Sequence, residues 1–145
     1  GRVVALIWAF DVSRNEHLPN HIVLSEDGGK TFGSPVNTDV AAQASNLMWL
    51  GDNKLLTIHA HRIGEIGLYV RLADITGNRW KTEARQCIWG KTVSQDASKS
   101  IIDQFAGLKF GQPSLTRLAN GELLAVFWAV EDCLYKIKAI RLKLI

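Results

Sequence analysis

The apolar positions of this chain fall into short runs separated by polar turns, and the runs recur. One run occupies residues 55–59 (Leu55, Leu56, Thr57, Ile58, His59) and another residues 123–128 (Leu123, Leu124, Ala125, Val126, Phe127, Trp128). A polar turn precedes each, Gly51-Asp52-Asn53 in one case and Asn120-Gly121 in the other. Ahead of the turns stand shorter stretches, residues 47–50 and 115–118, introduced by Gln43-Ala44-Ser45 and Gln112-Pro113-Ser114. The N-terminus enters this pattern part-way, because Gly1-Arg2 and residues 3–8 match Gly121-Glu122 and residues 123–128. Third stretches follow at residues 21–25, 67–73 and 135–144. Short runs bounded by turn residues predict strands, and no segment sustains the 3.6-residue period of a helix. The second run of each unit is apolar on both faces, as expected of a strand buried in a stack of sheets. Asn120-Gly121 predicts a hairpin with a type I′ turn, which needs positive φ at both central residues.

The recurrence divides a single domain into approximate units of residues 1–42, 43–110 and 111–145. The first unit lacks a first strand and the last lacks a fourth. After the third strand of the first unit comes Ser25-Glu26-Asp27-Gly28-Gly29-Lys30-Thr31-Phe32. Ser25 and Asp27 are short enough to bond nearby backbone N–H groups, and Gly29 takes a conformation that a Cβ disfavours. Phe32 is expected to anchor the turn in the core. A worn copy, Ala73-Asp74-Ile75-Thr76-Gly77-Asn78-Arg79-Trp80, keeps the Gly and the aromatic but carries Ala73 and Ile75 in place of Ser and Asp.

The first of these turns fits the Asp box, S-x-D-x-G-x-x-W/F, and with it the chain resembles the sialidase superfamily of Asp-box (BNR) repeats. It looks most like the last three blades of the six-bladed, sialidase-like bacterial glycoside hydrolases. The stretches that carry the resemblance are Leu18-Pro19-Asn20-His21 leading into the turn, residues 55–62, and residues 111–144. The resemblance implies an all-β fold of about three β-propeller blades, half of a six-bladed ring. Six blades of roughly 45–50 residues need about twice this chain. An open half-ring exposes sheet faces and edges. Two explanations stand: the chain is one portion of a longer protein, or two copies form a homodimer that closes the ring.

In an antiparallel blade the turns alternate ends, so the start of strand one and the end of strand two share one mouth of the ring. The Asp box lies at the other end, which makes Ser25, Asp27, Gly29 and Phe32 structural. The mouth should gather Trp8, Asp11, Gln43, His61, Arg62, Gln112 and Trp128 as substrate-binding candidates. Arg62 is the first choice for a ligand contact, with a loop salt bridge as its alternative; Arg71, inside strand three, is read as structural. Trp8 and Trp128 are suited either to stacking on a sugar ring or to packing between blades. Sialidases hold the substrate carboxylate with arginines and use a Tyr–Glu pair as nucleophile. Where the resemblance would place that tyrosine, the chain has Gly111-Gln112-Pro113-Ser114, and Tyr69 and Tyr135 belong to third strands. No catalytic residue can therefore be assigned. The implied function is a sialidase-like glycoside hydrolase acting on a sugar at the mouth. The alternative is a non-catalytic propeller that binds glycans or serves as a protein-interaction scaffold.

The remaining chemistry narrows the field. His59 and His61 share a strand face, but no third ligand accompanies them, so packing or a hydrogen bond is expected rather than a metal. His17 and His21 flank Pro19, which argues against a helical metal pair. No cofactor motif is present. Cys87 and Cys133 are too few for a disulfide framework or a zinc site; two buried thiols are expected, with one bridge as the alternative. Net charge is +3, and acids interleave with bases except near the end, where Lys136, Lys138, Arg141 and Lys143 alternate with apolar residues. That alternation describes a solvated strand face rather than a nucleic-acid surface. The switch from even to odd basic positions across Ala139-Ile140 predicts a bulge. No apolar stretch approaches the roughly 20 residues of a membrane-spanning helix. The chain begins without Met inside an apolar run and shows no signal peptide, so its beginning is expected to have been removed and its compartment stays open.

Overall fold

The computed structural model describes residues 1–90 and 108–144; part of the 43–110 unit therefore lies outside the described residues. Among the described residues ten strands form three antiparallel sheets. The first sheet contains β1 (Val3–Asp11), β2 (Glu16–Ser25) and the short β3 (Val36–Asn37). The second contains β4 (Ser45–Gly51), β5 (Lys54–His61), β6 (Gly67–Asp74) and β7 (Lys81–Trp89). The third contains β8 (Phe110–Arg117), β9 (Leu123–Glu131) and β10 (Leu134–Leu142). Within each sheet neighbours in sequence are neighbours in space. The only helical element among the described residues is a single 3-10 turn, Thr76–Asn78, so none is long and apolar enough to cross a membrane.

The sheets stack like blades, with the second between the other two. Its β5 is buried along seven of its eight residues, so that even its polar Thr57, His59 and His61 lie inside the stack. Between the first and second sheets, Ile22, Leu24, Leu55 and Ile75 form a core against which Val4, Leu6 and Trp80 pack. Between the second and third, Ala60, Leu68, Phe110, Phe127 and Ala129 form another, closed by Trp89. A fully buried Leu, Ile or Phe contributes about 1.5–3 kcal/mol, so Leu55, Ile58, Leu68, Phe110 and Phe127 dominate the cohesion of the stack.

Turn chemistry sets the registers. Between β4 and β5, Asp52 and Asn53 take φ of 46° and 59°, the two left-handed residues of a type I′ hairpin. The expected type I′ turn at Asn120-Gly121 is not formed. Gly121 alone is left-handed there, at 85°, and its N–H bonds the Leu118 carbonyl at 2.9 Å. This is a type I turn over residues 118–121 that ends on a glycine, one residue longer on its leading side. The expected bulge at Ala139-Ile140 is also absent, since β10 pairs with β9 without a break from Leu134 to Leu142. The basic residues simply occupy both faces of the strand: Lys138 bonds Glu131 at 2.6 Å and Arg141 bonds Glu122 at 2.9 Å.

At the end of the stack away from the mouth, the turn over residues 25–32 is built as its residue types require. Ser25 Oγ donates to Asp27 Oδ1 (2.7 Å) and accepts from Gly29 N–H (2.8 Å). Asp27 also accepts from Lys30 N–H, Thr31 N–H and the Thr31 hydroxyl at 2.7–3.0 Å. These donors, the Thr31 hydroxyl foremost, hold its carboxyl well below the usual carboxylate range. Phe32 does not anchor the turn in the core: it is 47% exposed and borders an open hollow shared with Leu24, Val36 and Asn78. In the parallel turn Ile75 is fully buried and Trp80 packs beside it, so the apolar substitute does the anchoring there. Both cysteines are free, but neither is buried; Cys133 is exposed, because with Asp132 it forms a left-handed pair (φ 62° and 53°) at a hairpin tip.

Candidate functional site at the mouth of the stack

β1, β5 and β9 end at one edge of the stack, where β4 and β8 begin. Gln43 is carried there by an extension of the β4 ladder: its N–H bonds the Ala60 carbonyl at 3.0 Å, and Ala60 N–H returns a bond to Ala44 at 2.9 Å. Arg62 follows directly after β5. Its Nη1 donates to Gln43 Oε1 at 2.7 Å and its Nη2 to the Phe110 carbonyl at 2.9 Å. Its side chain lies 5.8 Å from the Phe110 ring centre, and the residue is only 5% exposed. Burial pulls the guanidinium down to about 10, which leaves it charged at neutral pH. No carboxylate pairs with it among the described residues, and its Nε is buried without a partner.

Arg62 also dictates what Gln43 can do. A guanidinium only donates, so the amide oxygen must face it and the amide nitrogen must face away. That nitrogen lies 2.9 Å from His17 Nε2. On the other side of the His17 ring the Trp8 indole N–H donates to Nδ1 at 3.4 Å. Phe110, Arg62, Gln43 and His17 thus make one relay across all three sheets. Gly111 makes room for it, because a Cβ there would collide with Arg62 Nη2.

In front of the relay is a cavity of about 320 Å³ lined by Asn15, Glu16, His17, Gln43, Arg62 and Gly64, among others. Of the residues expected at the mouth, Gln43 and Arg62 line this cavity and the rest are placed otherwise. His61 points between the first and second sheets, where its Nε2 accepts from Arg71 at 2.9 Å and its ring meets the edge of Tyr69. Burial, then the Arg71 and Arg85 charges, lower its pKa to about 4. Asp11 folds its own hairpin: Oδ1 accepts from Ser13 N–H, the Ser13 hydroxyl and Arg14 N–H at 2.6–3.1 Å. The Ser13 hydroxyl bond is the largest influence lowering its pKa. Trp8 is half-exposed beside Phe10 and His17. Gln112 is exposed at φ 46°, where the β8–β9 register breaks between Gly111 and Ser114. Trp128 pairs with Gly111 and Ile137 and lies 5.8 Å from the Tyr135 ring.

Arg71, on β6, is 5% exposed and spends its Nη2 on His61. His59, on the same face as His61, bonds Ser45 Oγ and Thr57 Oγ1 at 3.0 and 2.9 Å, which accounts for it as a packed, hydrogen-bonded group. Among the described residues no three His, Cys, Asp or Glu come together as a metal site. Asn15, Glu16 and His17 are not among the residues expected at the mouth, His17 being considered only beside His21 as a metal pair. The signal available was positional, because the hairpin between strands two and three opens at the same mouth as Gln43 and Arg62.

Fold and site together define an all-β protein of blade-like antiparallel sheets with a polar cavity at one end. Comparisons with protein-family models, with curated proteins and with solved structures find no match for this chain.

Proposed function

We propose that the chain supplies three blades of a sialidase-like propeller and binds a sugar in the cavity before Arg62. The observation that carries this is the convergence of Asn15, Glu16, His17, Gln43 and Arg62 on one cavity of about 320 Å³. That size falls in the range of small-ligand sites, and amide, imidazole and carboxylate groups are the partners that sugar hydroxyls take. The Ser25–Asp27–Gly29 turn at the opposite end supports the Asp-box assignment and plays no part in binding. Further blades, from a second copy or from a longer chain, would pack on the outer faces, where Ile7 of the first sheet and Ile137 of the third are exposed.

Of the two activities the resemblance implies, binding without hydrolysis is favoured by two observations. No tyrosine lines the cavity among the described residues, whereas the sialidase reaction takes one as its nucleophile, and Asp11, a substrate-binding candidate, is committed to the hairpin of residues 11–16. A titration of monosaccharides followed by NMR at the Gln43 and His17 side chains tests the reading. Sugar-dependent shifts that vanish in Gln43→Leu, with aryl glycosides left intact, are expected. Shifts elsewhere on the surface, or none at millimolar sugar, would sink it; steady turnover of an aryl glycoside would establish the hydrolase instead.

A further inference from the structure

We infer that the mouth cavity selects an uncharged sugar over the same sugar carrying a carboxylate, an inference that rests on the sugar-binding reading above. Among the described residues the cavity has two charged walls, Arg62 and Glu16, and they are not equally available. Arg62 is the group an acidic sugar would seek, because a guanidinium meets a carboxylate through two parallel N–H bonds. Nη1 already donates to Gln43 and Nη2 to the Phe110 carbonyl, and the Nε that has no partner is itself buried. At 5% exposure too little of the group is open for a two-point bond. A ligand carboxylate could reach it only by opening the packing around Gln43 and Phe110, which would disturb the relay that ties the three sheets together.

Glu16 presents the opposite case. It is exposed, sits at the first position of β2, and brings a negative charge to the wall that a ligand must pass. Its carboxylate can accept from a sugar hydroxyl, whereas a second carboxylate in the same cavity meets like-charge repulsion. The cavity therefore attracts hydroxyl groups through Glu16 and the polar side chains around it, and gives an acidic sugar no compensating ion pair.

Isosteric pairs isolate this effect: methyl glucoside against methyl glucuronide, and methyl galactoside against methyl galacturonide. The neutral member of at least one pair should bind about tenfold more tightly at low ionic strength. Added salt should narrow that ratio, and so should Glu16→Gln, which removes the charge and keeps the shape. Equal or tighter binding of the acidic member overturns the inference while leaving the sugar-binding reading in place. A neutral preference that neither salt nor Glu16→Gln alters also overturns it, since charge would not be the cause. Failure of every sugar to perturb the Gln43 and His17 resonances overturns the inference together with that reading.

Discussion

Gly111→Ala tests the relay at its tightest point. A Cβ at Gly111 would overlap Arg62 Nη2 and stand 3.3–3.4 Å from two atoms of the Trp128 ring. The guanidinium is the free end of a flexible side chain, so it moves before the backbone does, and the cost is set by the bonds it abandons. The first of these is the 2.9 Å bond to the Phe110 carbonyl; the 2.7 Å bond to Gln43 is next in line. A hydrogen bond to a charged group contributes about 1.5–3 kcal/mol, so loss of the first alone predicts a destabilisation of about 2 kcal/mol. Alanine also reduces the freedom of the unfolded chain, which returns about 0.4–1 kcal/mol. Urea unfolding of wild type, Gly111→Ala, Arg62→Met and the double variant separates these contributions in a thermodynamic cycle. With Met at position 62 there is no guanidinium to displace, and the Ala substitution should cost less than about 0.5 kcal/mol. A coupling energy of about 2 kcal/mol between the two sites is the expected result. If Gly111→Ala costs as much in the Arg62→Met background, the Trp128 contact or the backbone is responsible, and the account of Gly111 is wrong.

Two other outcomes follow from the described geometry. His61 has its pKa lowered to about 4 from an ordinary 6.5, so between those values the unfolded chain binds a proton that the folded chain refuses. Stability should therefore fall as pH drops from about 6.5 towards 4, by on the order of 3 kcal/mol for this group. His59, also held well below 6.5 by burial, acts in the same direction, and a urea midpoint that stays constant between pH 7 and 5 would refute the assignment. At the other end of the stack, Asp27→Ala removes the acceptor for the Lys30 and Thr31 amides. Amide exchange should accelerate at those two residues while β5 keeps its protection; unchanged rates at Lys30 and Thr31 would show that Asp27 does not hold the turn.

The strands that a reader can find in the sequence are those with a strong apolar signal. β5 and β9 are legible because each follows a polar hairpin turn and carries an apolar pair or run at its start, Leu55-Leu56 and residues 123–128. β7 is not, because it is an edge strand whose Lys81, Glu83 and Arg85 face water, and charge at an edge masks the strand pattern. Turn types are only partly legible: Asp52-Asn53 and Asn120-Gly121 are both strong hairpin pairs, yet only the first adopts two left-handed residues. The difference lies in how many residues the flanking strands leave to be spanned, which pairing across the sheet decides.

The sequence by itself determined the all-β class, the recurring hairpins, the local bonding of the Ser25–Asp27 turn and the placement of Gln43 and Arg62 at one end of the stack. All of these depend on residues near one another in the chain or on a repeating pattern of burial. The tertiary structure alone decided which mouth residues meet. His61 and Arg62 are adjacent in sequence, but strand alternation and the turn beyond β5 send one between two sheets and the other along the mouth to Phe110. His17 joins Gln43 across 26 positions, and Gly111 matters because Arg62, from a different sheet, fills the space its missing side chain leaves. Contacts of that kind carry no local signature, because they are set by the stacking of sheets and not by the propensity of any one of them.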